Sequence, residues 1–380
     1  MNIPIDRRRF LLALGALGAL PRHAPASSAD EPERAQIAAA WRGPAIGDPY
    51  FAGILDADWS QRKLAIRYEL RLPTRPHGLS VEADGGLLVI GVRPGRWLLR
   101  CDGEGRVVRE QRLGDASAAT LNGHAAVNGA GTVIFTTETD PASGRGRIGV
   151  RDRQTLEKLD EWESHGIDPH QLLVDVDGSL LVANGGVPRT PDDRKFDLQR
   201  MDSSLVRLDG RSGQLRERWQ LADRRLSLRH LAWSESPRDG QRRLGIAMQA
   251  EHDDPARRRA APVFAYLERG ELHVPERAGD GVVGYAGDIA PAVGGGFVVS
   301  GNQAGLAQWW HPGAPDKLAP IVEMQEAYAL AAWQGPAPGG GVLVATAPGL
   351  VRWHVAARPL FLPWPRPMAL DNHWVLAGEA

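Results

Sequence analysis

Five of the eleven histidines occupy equivalent positions in a repeated pattern, so they are the residues best placed to do chemistry. Each is followed by an apolar stretch, in most repeats by a turn rich in Gly or Asp, and then by a second apolar stretch. Imidazole nitrogens are good ligands for iron, copper and zinc, and nearby carboxylates serve as further ligands or as partners of the imidazoles. The sequence therefore predicts a metal site whose ligands come from His77, His124, His170, His230, His373, Glu138, Asp288 and His252.

Two other interpretations of these histidines remain open. An imidazole at the start of a strand can hydrogen-bond to a loop and hold adjacent repeats together, and duplication of a repeat copies such a residue. The cavity that they surround could also bind an organic ligand or catalyse a reaction. We expect metal binding, with iron or copper as the ion. A redox enzyme that uses a metal or quinone cofactor and a protein-interaction scaffold are the alternatives.

No catalytic residue is assigned. The sequence contains no G-x-S-x-G elbow, no P-loop, no H-E-x-x-H and no C-x-x-C-H. Each of these patterns places a nucleophile, a phosphate cradle, a zinc site or a covalent haem at a defined position. Their absence from the sequence makes an accessory binding protein more consistent with the pattern than an enzyme.

The elements that must position the histidines follow from the repeat. Residues 122–163 contain four strand-like runs separated by Gly, Asp and Pro turns, which is typical of one antiparallel sheet. Starts of such units recur every 41 to 60 residues, at His77, His124, His170, His230, 286–289, 328–330 and 372–376. Seven units predict an all-β fold, a seven-bladed β-propeller of four-stranded antiparallel blades. A pair of β-sandwiches is the alternative.

The two ends of the chain are predicted to close the ring. Segments 51–55 and 63–72 are strand-like but follow no first strand of their own, and together with 372–376 they would complete a blade. Such a closure removes the open sheet edges of a linear array. The long connection at 185–203, between the second and third strands of its repeat, is predicted at the same face as the histidines. It is either a solvated loop or a lid or docking loop.

The first 26 residues resemble a twin-arginine signal peptide. Arginines at 7–9 precede an apolar run at 10–20 and a small-x-small site at 24–26. The run is too short to span a bilayer, which needs about 20 residues. We therefore expect export to the periplasm by the twin-arginine pathway, with a retained membrane anchor as the alternative.

The rest of the chain is predicted to be one domain. A linker with a short helix near 31–40 is expected over 27–49, and a single propeller is expected over 50–380. The predicted leader carries four of the 45 basic and one of the 46 acidic residues, so its removal changes the net charge from −1 to −4. That balance favours neither nucleic acid nor stable membrane insertion. Cys101 is the only cysteine, which excludes an intramolecular disulfide, and we expect a monomer.

Four motifs resemble those of one exported bacterial family, known as domain of unknown function 1513. They are Arg75-Pro76-His77-Gly78, residues 124–140, Asp168-Pro169-His170-Gln171 through 184–186, and Asp371-Asn372-His373-Trp374. The resemblance implies a quinoprotein-dehydrogenase-like, or YVTN-like, β-propeller. It makes the histidines within the motifs stronger candidates as functional residues. It also implies a role in iron or copper acquisition, with imelysin-type iron-regulated proteins and a di-haem oxidoreductase as partners, because genes of the family often lie beside theirs.

Overall fold

The computed structural model describes residues 34–114, 119–238, 240–333 and 341–378. The predicted signal peptide lies outside these ranges. Within them almost all regular structure is β-strand, apart from a short helix α1 at Pro255–Ala260 and 3-10 turns at Leu198–Arg200 and Val293–Gly295. No helix in the described ranges is long and apolar enough to cross a membrane.

The strands of the described residues form seven four-stranded antiparallel sheets, which are the blades of a propeller. The strands of blades 1 to 3, from the channel outward, are β4 (Pro76–Val81), β5 (Leu87–Gly91), β6 (Trp97–Cys101), β7 (Val107–Arg112); β8 (Thr120–Val127), β9 (Val133–Thr139), β10 (Arg145–Asp152), β11 (Lys158–Ile167); β12 (Pro169–Val174), β13 (Leu180–Asn184), β14 (Ser204–Leu208) and β15 (Leu215–Trp219).

Blades 4 to 6 follow the same order along the chain, whereas blade 7 combines the two ends. Their strands are β16 (Leu226–Glu235), β17 (Arg242–Ala250), β18 (Phe264–Glu268), β19 (Glu271–His273); β20 (Asp288–Ala292), β21 (Gly296–Gly301), β22 (Leu306–Trp310), β23 (Leu318–Glu323); β24 (Leu330–Trp333), β25 (Gly341–Thr346), β26 (Gly349–His354), β27 (Ala357–Pro363); and, in blade 7, β28 (Ala369–Gly378), β1 (Arg34–Arg42), β2 (Tyr50–Asp58) and β3 (Lys63–Arg71).

Contacts between the inner strands run around the whole ring. Strand β4 contacts β8, and the series continues through β12, β16, β20, β24 and β28 back to β4. The prediction of a seven-bladed propeller is therefore confirmed, and a pair of β-sandwiches is excluded. The predicted unit starts at His77, His124, His170 and His230 fall within β4, β8, β12 and β16.

The N-terminal segment contributes one strand more than the sequence predicted. Residues 34–42, expected to belong to a linker with a short helix, form β1 between β28 and β2. That expectation is wrong for these residues, because it rested on local helix propensity. Ala38, Ala39 and Ala40 have high helix propensity. In the closing blade, however, they are completely buried between two hydrogen-bonded neighbours, and tertiary packing overrides propensity.

The core consists of apolar layers between adjacent blades. Between blades 3 and 4, for example, Leu205, Leu228, Ile246 and Met248 are all fully buried. Burying each such side chain is worth about 1.5–3 kcal/mol. These layers fix each inner strand against the next, so the positions of side chains at the channel are set by the packing of the whole ring.

Candidate metal centre

All five predicted inner-strand histidines lie where the strand pairing is irregular. The register shifts fall at residues 76–79 of β4, 121–125 of β8, 169–172 of β12, 228–231 of β16 and 370–374 of β28. Each contains one histidine, namely His77, His124, His170, His230 and His373. A β-bulge releases a residue from the alternating pattern and re-aims its side chain. The five bulges together bring the five rings to one place in the channel.

Blades 5 and 6 have regular inner strands and carry no histidine at this level. In the described residues β20 pairs with β21, and β24 with β25, without a register shift. The Asp288 carboxylate accepts hydrogen bonds from the backbone N–H groups of Ile289 and Leu330, both at 2.9 Å. Its Oδ1 lies 3.6 Å from His373 Nδ1. This distance is longer than a hydrogen bond, so Asp288 lies beside the His373 ring without fixing its tautomer.

Two glycines allow the first two histidines to meet. A Cβ on Gly78 would lie 2.3 Å from the Gly123 carbonyl oxygen, and a Cβ on Gly123 would lie 2.6 Å from His77 Cδ2. Gly123 also has a φ of +101°, which other residues rarely adopt. The strands of blades 1 and 2 can approach this closely only because both positions lack a side chain.

Four of the five histidines form a compact group, which we call the histidine group: His77, His124, His230 and His373. Their potential ligand nitrogens lie within 4.8 Å of one another, and the residues are 1% to 8% exposed. In a tetrahedral site with each nitrogen at about 2.1 Å from the ion, the nitrogens are about 3.4 Å apart. The group would therefore contract by at most about 1.4 Å around an ion, and these four buried histidines could bind a metal.

The hydrogen bonding of the group supports this fit. Several buried nitrogens have no hydrogen-bond partner among the described residues: both nitrogens of His77, Nε2 of His124, Nδ1 of His230 and Nε2 of His373. Buried polar atoms of native proteins are nearly always bonded, and an unbonded one costs about 1–3 kcal/mol. In a neutral ring one nitrogen is protonated and the other has the lone pair, so each imidazole can offer one nitrogen to a metal ion.

His170 stands beside the group and is held in one tautomer. Arg93 Nη2 lies 3.1 Å from His170 Nδ1, and His170 Nε2 lies 2.9 Å from His230 Nε2. Burial lowers the pKa of Arg93 to about 10, so Arg93 is cationic at neutral pH and can only donate. His170 Nδ1 is therefore an acceptor, and its protonated Nε2 donates to His230. An ion bound to His230 Nε2 would replace that hydrogen bond.

The rings are neutral in this environment. Burial, followed by the proximity of the other imidazoles and of Arg93 and Arg229, holds the pKa of His77, His124, His170 and His230 well below the ordinary 6.5. A neutral imidazole has the lone pair that a metal requires. Three members of the group, His77, His124 and His230, can thus bind an ion without first releasing a proton.

A buried ion cluster borders the histidines at the face of the ring that carries the insertion 185–203, which we call the upper face. Asp168 pairs with Arg93, with Arg229 Nη1 at 3.0 Å and with Arg189 Nε at 3.3 Å. Burial acts to raise the pKa of Asp168, but the three guanidinium groups outweigh it and hold the pKa below its ordinary value. Sequence reasoning missed Arg229 and Arg189. The signal for Arg229 was its position beside His230 in an otherwise apolar strand, since a buried guanidinium needs a carboxylate.

Two further candidates lie outside the histidine group. Glu138 is fully buried and pairs with Arg151 Nη2 at 2.7 Å and Lys158 Nζ at 2.6 Å. His252 Nε2 lies 2.8 Å from Asp223 Oδ2. Both side chains are therefore engaged in ion pairs or hydrogen bonds of their own blades.

Comparisons with known proteins identify the family and the fold. A family model described as "Protein of unknown function (DUF1513)" matches residues 70–377. A search of the curated proteins finds no significant match. Hydrazine synthase of Kuenenia stuttgartiensis has a similar structure, with a TM-score of 0.59 and 13% identity over 88% of this chain and 100% of that one.

Two lyase structures are similar in the same way. Virginiamycin B lyase of Staphylococcus aureus with quinupristin has a TM-score of 0.53 and 12% identity over 78% of this chain and 87% of that one. A streptogramin B lyase has a TM-score of 0.51 and 13% identity over 84% of this chain and 93% of that one. Identities this low show a shared propeller fold and carry no function to this chain.

Proposed function

The chain belongs to the DUF1513 family of proteins of unknown function, and we propose that it is a periplasmic metal-binding accessory protein in iron or copper acquisition. The histidine group would hold the ion. One observation carries the proposal: the potential ligand nitrogens of four buried histidines lie within 4.8 Å of one another, and each ring has a buried nitrogen without a hydrogen-bond partner among the described residues.

The chemistry of the ligands supports a borderline transition metal. Four imidazoles suit copper, zinc, iron and nickel, whereas calcium, magnesium and manganese prefer oxygen ligands. Of the two metals proposed, an all-nitrogen set binds Cu²⁺ more tightly than Fe²⁺ according to the Irving–Williams order. The proposal therefore expects copper to bind more tightly than iron in vitro.

Other features support the location and the partners. The twin-arginine pattern at residues 7–9 favours export of a folded protein, which could carry its ion with it. The family resemblance supports imelysin-type proteins and a di-haem oxidoreductase as partners. An accessory protein of this kind would bind and deliver the ion, and it needs no catalytic residue.

The test is the metal content of the purified protein and of single variants. We expect about one copper per chain in the wild type after incubation with Cu²⁺ and dialysis, measured by mass spectrometry of the element. His124→Ala and His373→Ala remove a ligand and should each retain clearly less than one copper per chain, because three imidazoles hold the ion less tightly than four. His170→Ala should retain it, with an affinity weaker by at most about 10–100-fold, the range for a residue that orients a ligand.

His252→Ala is the matched control, since His252 is also a buried histidine but is bonded to Asp223. It should bind copper as the wild type does. Negligible metal in the wild type, or equal metal in His124→Ala and the wild type, would show that the histidines are structural.

A further inference from the structure

A cavity of about 140 Å³ adjoins the histidine group inside the channel. His124 and His373 form part of its wall, and so do Ser80, Ala125 and Gln171, which follow the bulged histidines along their strands. Space of this size holds several water molecules or one small ligand. The cavity therefore touches the proposed ion site on the side where the inner strands continue down the channel.

The other side of the group is filled by protein. His170 Nε2 contacts His230 Nε2, and Arg93 and Asp168 pack behind His170. Arg93 and Asp168 line a separate pocket at the upper face, and His170 lines neither space. The lower cavity, in contrast, is bordered by two members of the group itself. Protein would thus cover an ion in the group on the side of the upper face, whereas the side towards the cavity would remain open.

The lining of the cavity limits what can enter. Its wall combines apolar side chains, among them Ile289, Leu330 and Val375, with polar groups that include Asp288 and form the larger part of its surface. Gln171 Oε1 accepts a hydrogen bond from Leu231 N at 2.5 Å, which leaves its amide nitrogen as a donor. The Ser80 hydroxyl is a second polar group in the wall. A small ligand with one end on the ion and a hydrogen-bond acceptor at the other fits this arrangement.

We propose that the ion keeps one coordination position open towards this cavity and binds there a small ligand of two or three heavy atoms, the class that includes dioxygen, peroxide and azide. The inference rests on the metal-binding function proposed above. Sites with an open position bind exogenous ligands, whereas closed structural sites do not. The bound ion would then remain accessible to small molecules that enter the cavity.

The experiment uses the copper-loaded full-length mature protein and azide as the probe. Titration with azide should produce a saturable charge-transfer band, and azide should cancel the enhancement of water-proton relaxation by the bound Cu²⁺. Ser80→Leu extends a side chain into the cavity and should weaken azide binding by about tenfold or more through steric exclusion. Ser80→Ala, at the same position, leaves the space open and should bind azide within about threefold of the wild type.

The outcomes separate the two proposals. If no copper binds, both fail. If copper binds at one per chain but the wild type shows neither the azide band nor a change in relaxation, the open position is refuted and the metal site stands. Equal azide affinity in folded Ser80→Leu and Ser80→Ala would also refute it. The relaxation measurement needs only the wild type, so the inference is tested even if Ser80→Leu does not fold.

Discussion

The two ring nitrogens of His77 show what single residues contribute to this site. Both are buried without a hydrogen-bond partner among the described residues, although each unbonded group costs about 1–3 kcal/mol. His252, equally buried, has its partner in Asp223. His77 leaves both of its nitrogens without a partner among the described residues, whereas His252 leaves only Nδ1. What sets the histidine group apart is that the potential ligand nitrogens of its four rings lie within 4.8 Å of one another.

The neutral rings make the metal-free protein sensitive to acid. In the unfolded chain they take up protons near pH 6.5, but in the folded chain they do so only well below that value. Their contribution to stability is therefore complete above about pH 6.5 and is lost as the pH falls. With four such rings, the free energy of unfolding should fall by up to about 5 kcal/mol per pH unit below pH 6.

Urea unfolding of metal-free protein between pH 7.5 and 5.5 measures this slope. His77→Gln should reduce it by about 1.4 kcal/mol per pH unit, the value for one proton. His273→Gln, at the outer edge of blade 4, is the control and should leave the slope unchanged. A stability that does not vary over this range would contradict the prediction.

At the scale of elements, bulges and the long insertion decide how the channel is built. The five inner strands with a histidine are bulged, and the two regular ones in blades 5 and 6 carry none. The insertion at 185–203 connects β13 and β14, as predicted. Its Arg189 reaches Asp168, and its Lys195 Nζ lies 2.5 Å from Glu251 Oε1 of blade 4. The insertion is thus tied across the upper face, which favours a lid over a solvated loop.

Release of the lid should speed metal exchange. Lys195→Met keeps the length of the side chain but removes the ion pair with Glu251, which is worth about 0.5–1 kcal/mol at a partly exposed site. We expect copper transfer to a chelator about threefold faster, with little change in affinity, because the ligands are untouched. Stopped-flow absorption with a coloured chelator measures this rate.

Arg194→Met provides the matched control for the lid. Arg194 lies in the same insertion, its side chain is 78% exposed, and within the described part of the chain its guanidinium pairs with the neighbouring Asp192 alone. It should exchange copper at the wild-type rate. Equal rates for Lys195→Met and Arg194→Met would show that the insertion does not limit access.

For the whole molecule, closure of the ring is the decisive feature. Blade 7 joins β28 from one end of the chain to β1, β2 and β3 from the other. Strand β28 also carries His373, so the histidine group is complete only when the ends have met. The stability of the ring and the formation of the site are therefore coupled.

A charge in β1 tests this coupling. Ala39 is completely buried, so Ala39→Asp places a carboxylate in the closing blade without a partner and should lower the free energy of unfolding by about 3–5 kcal/mol. It should also reduce copper binding, because β1 pairs with β28. Ile46→Asp, at a 95% exposed position of the same segment, should change stability by less than about 0.5 kcal/mol. Similar urea midpoints for the two variants would mean that residues 34–42 behave as a linker.

Much of this architecture was determined by the sequence itself. The period of the strand-like runs, the turns of Gly and Asp, and the recurrent histidines predicted seven blades, the inner-strand starts and the insertion at 185–203. These patterns are local, since alternation and turn chemistry are fixed by a few neighbouring residues. The same patterns predicted that both ends of the chain would form one blade.

Tertiary structure alone decided which residues share a site. Periodicity could not distinguish His252 from His77, because hydrogen-bond partners such as Asp223 come from distant segments. It also assigned Ala38 to Ala40 to a linker with a short helix, since only the packing of β28 and β2 on either side makes an alanine-rich strand favourable. The bulges that turn the histidines into the channel arise from the pairing of two strands. The five histidines lie on different strands, so their rings come together only when the inner strands are packed side by side in the closed ring.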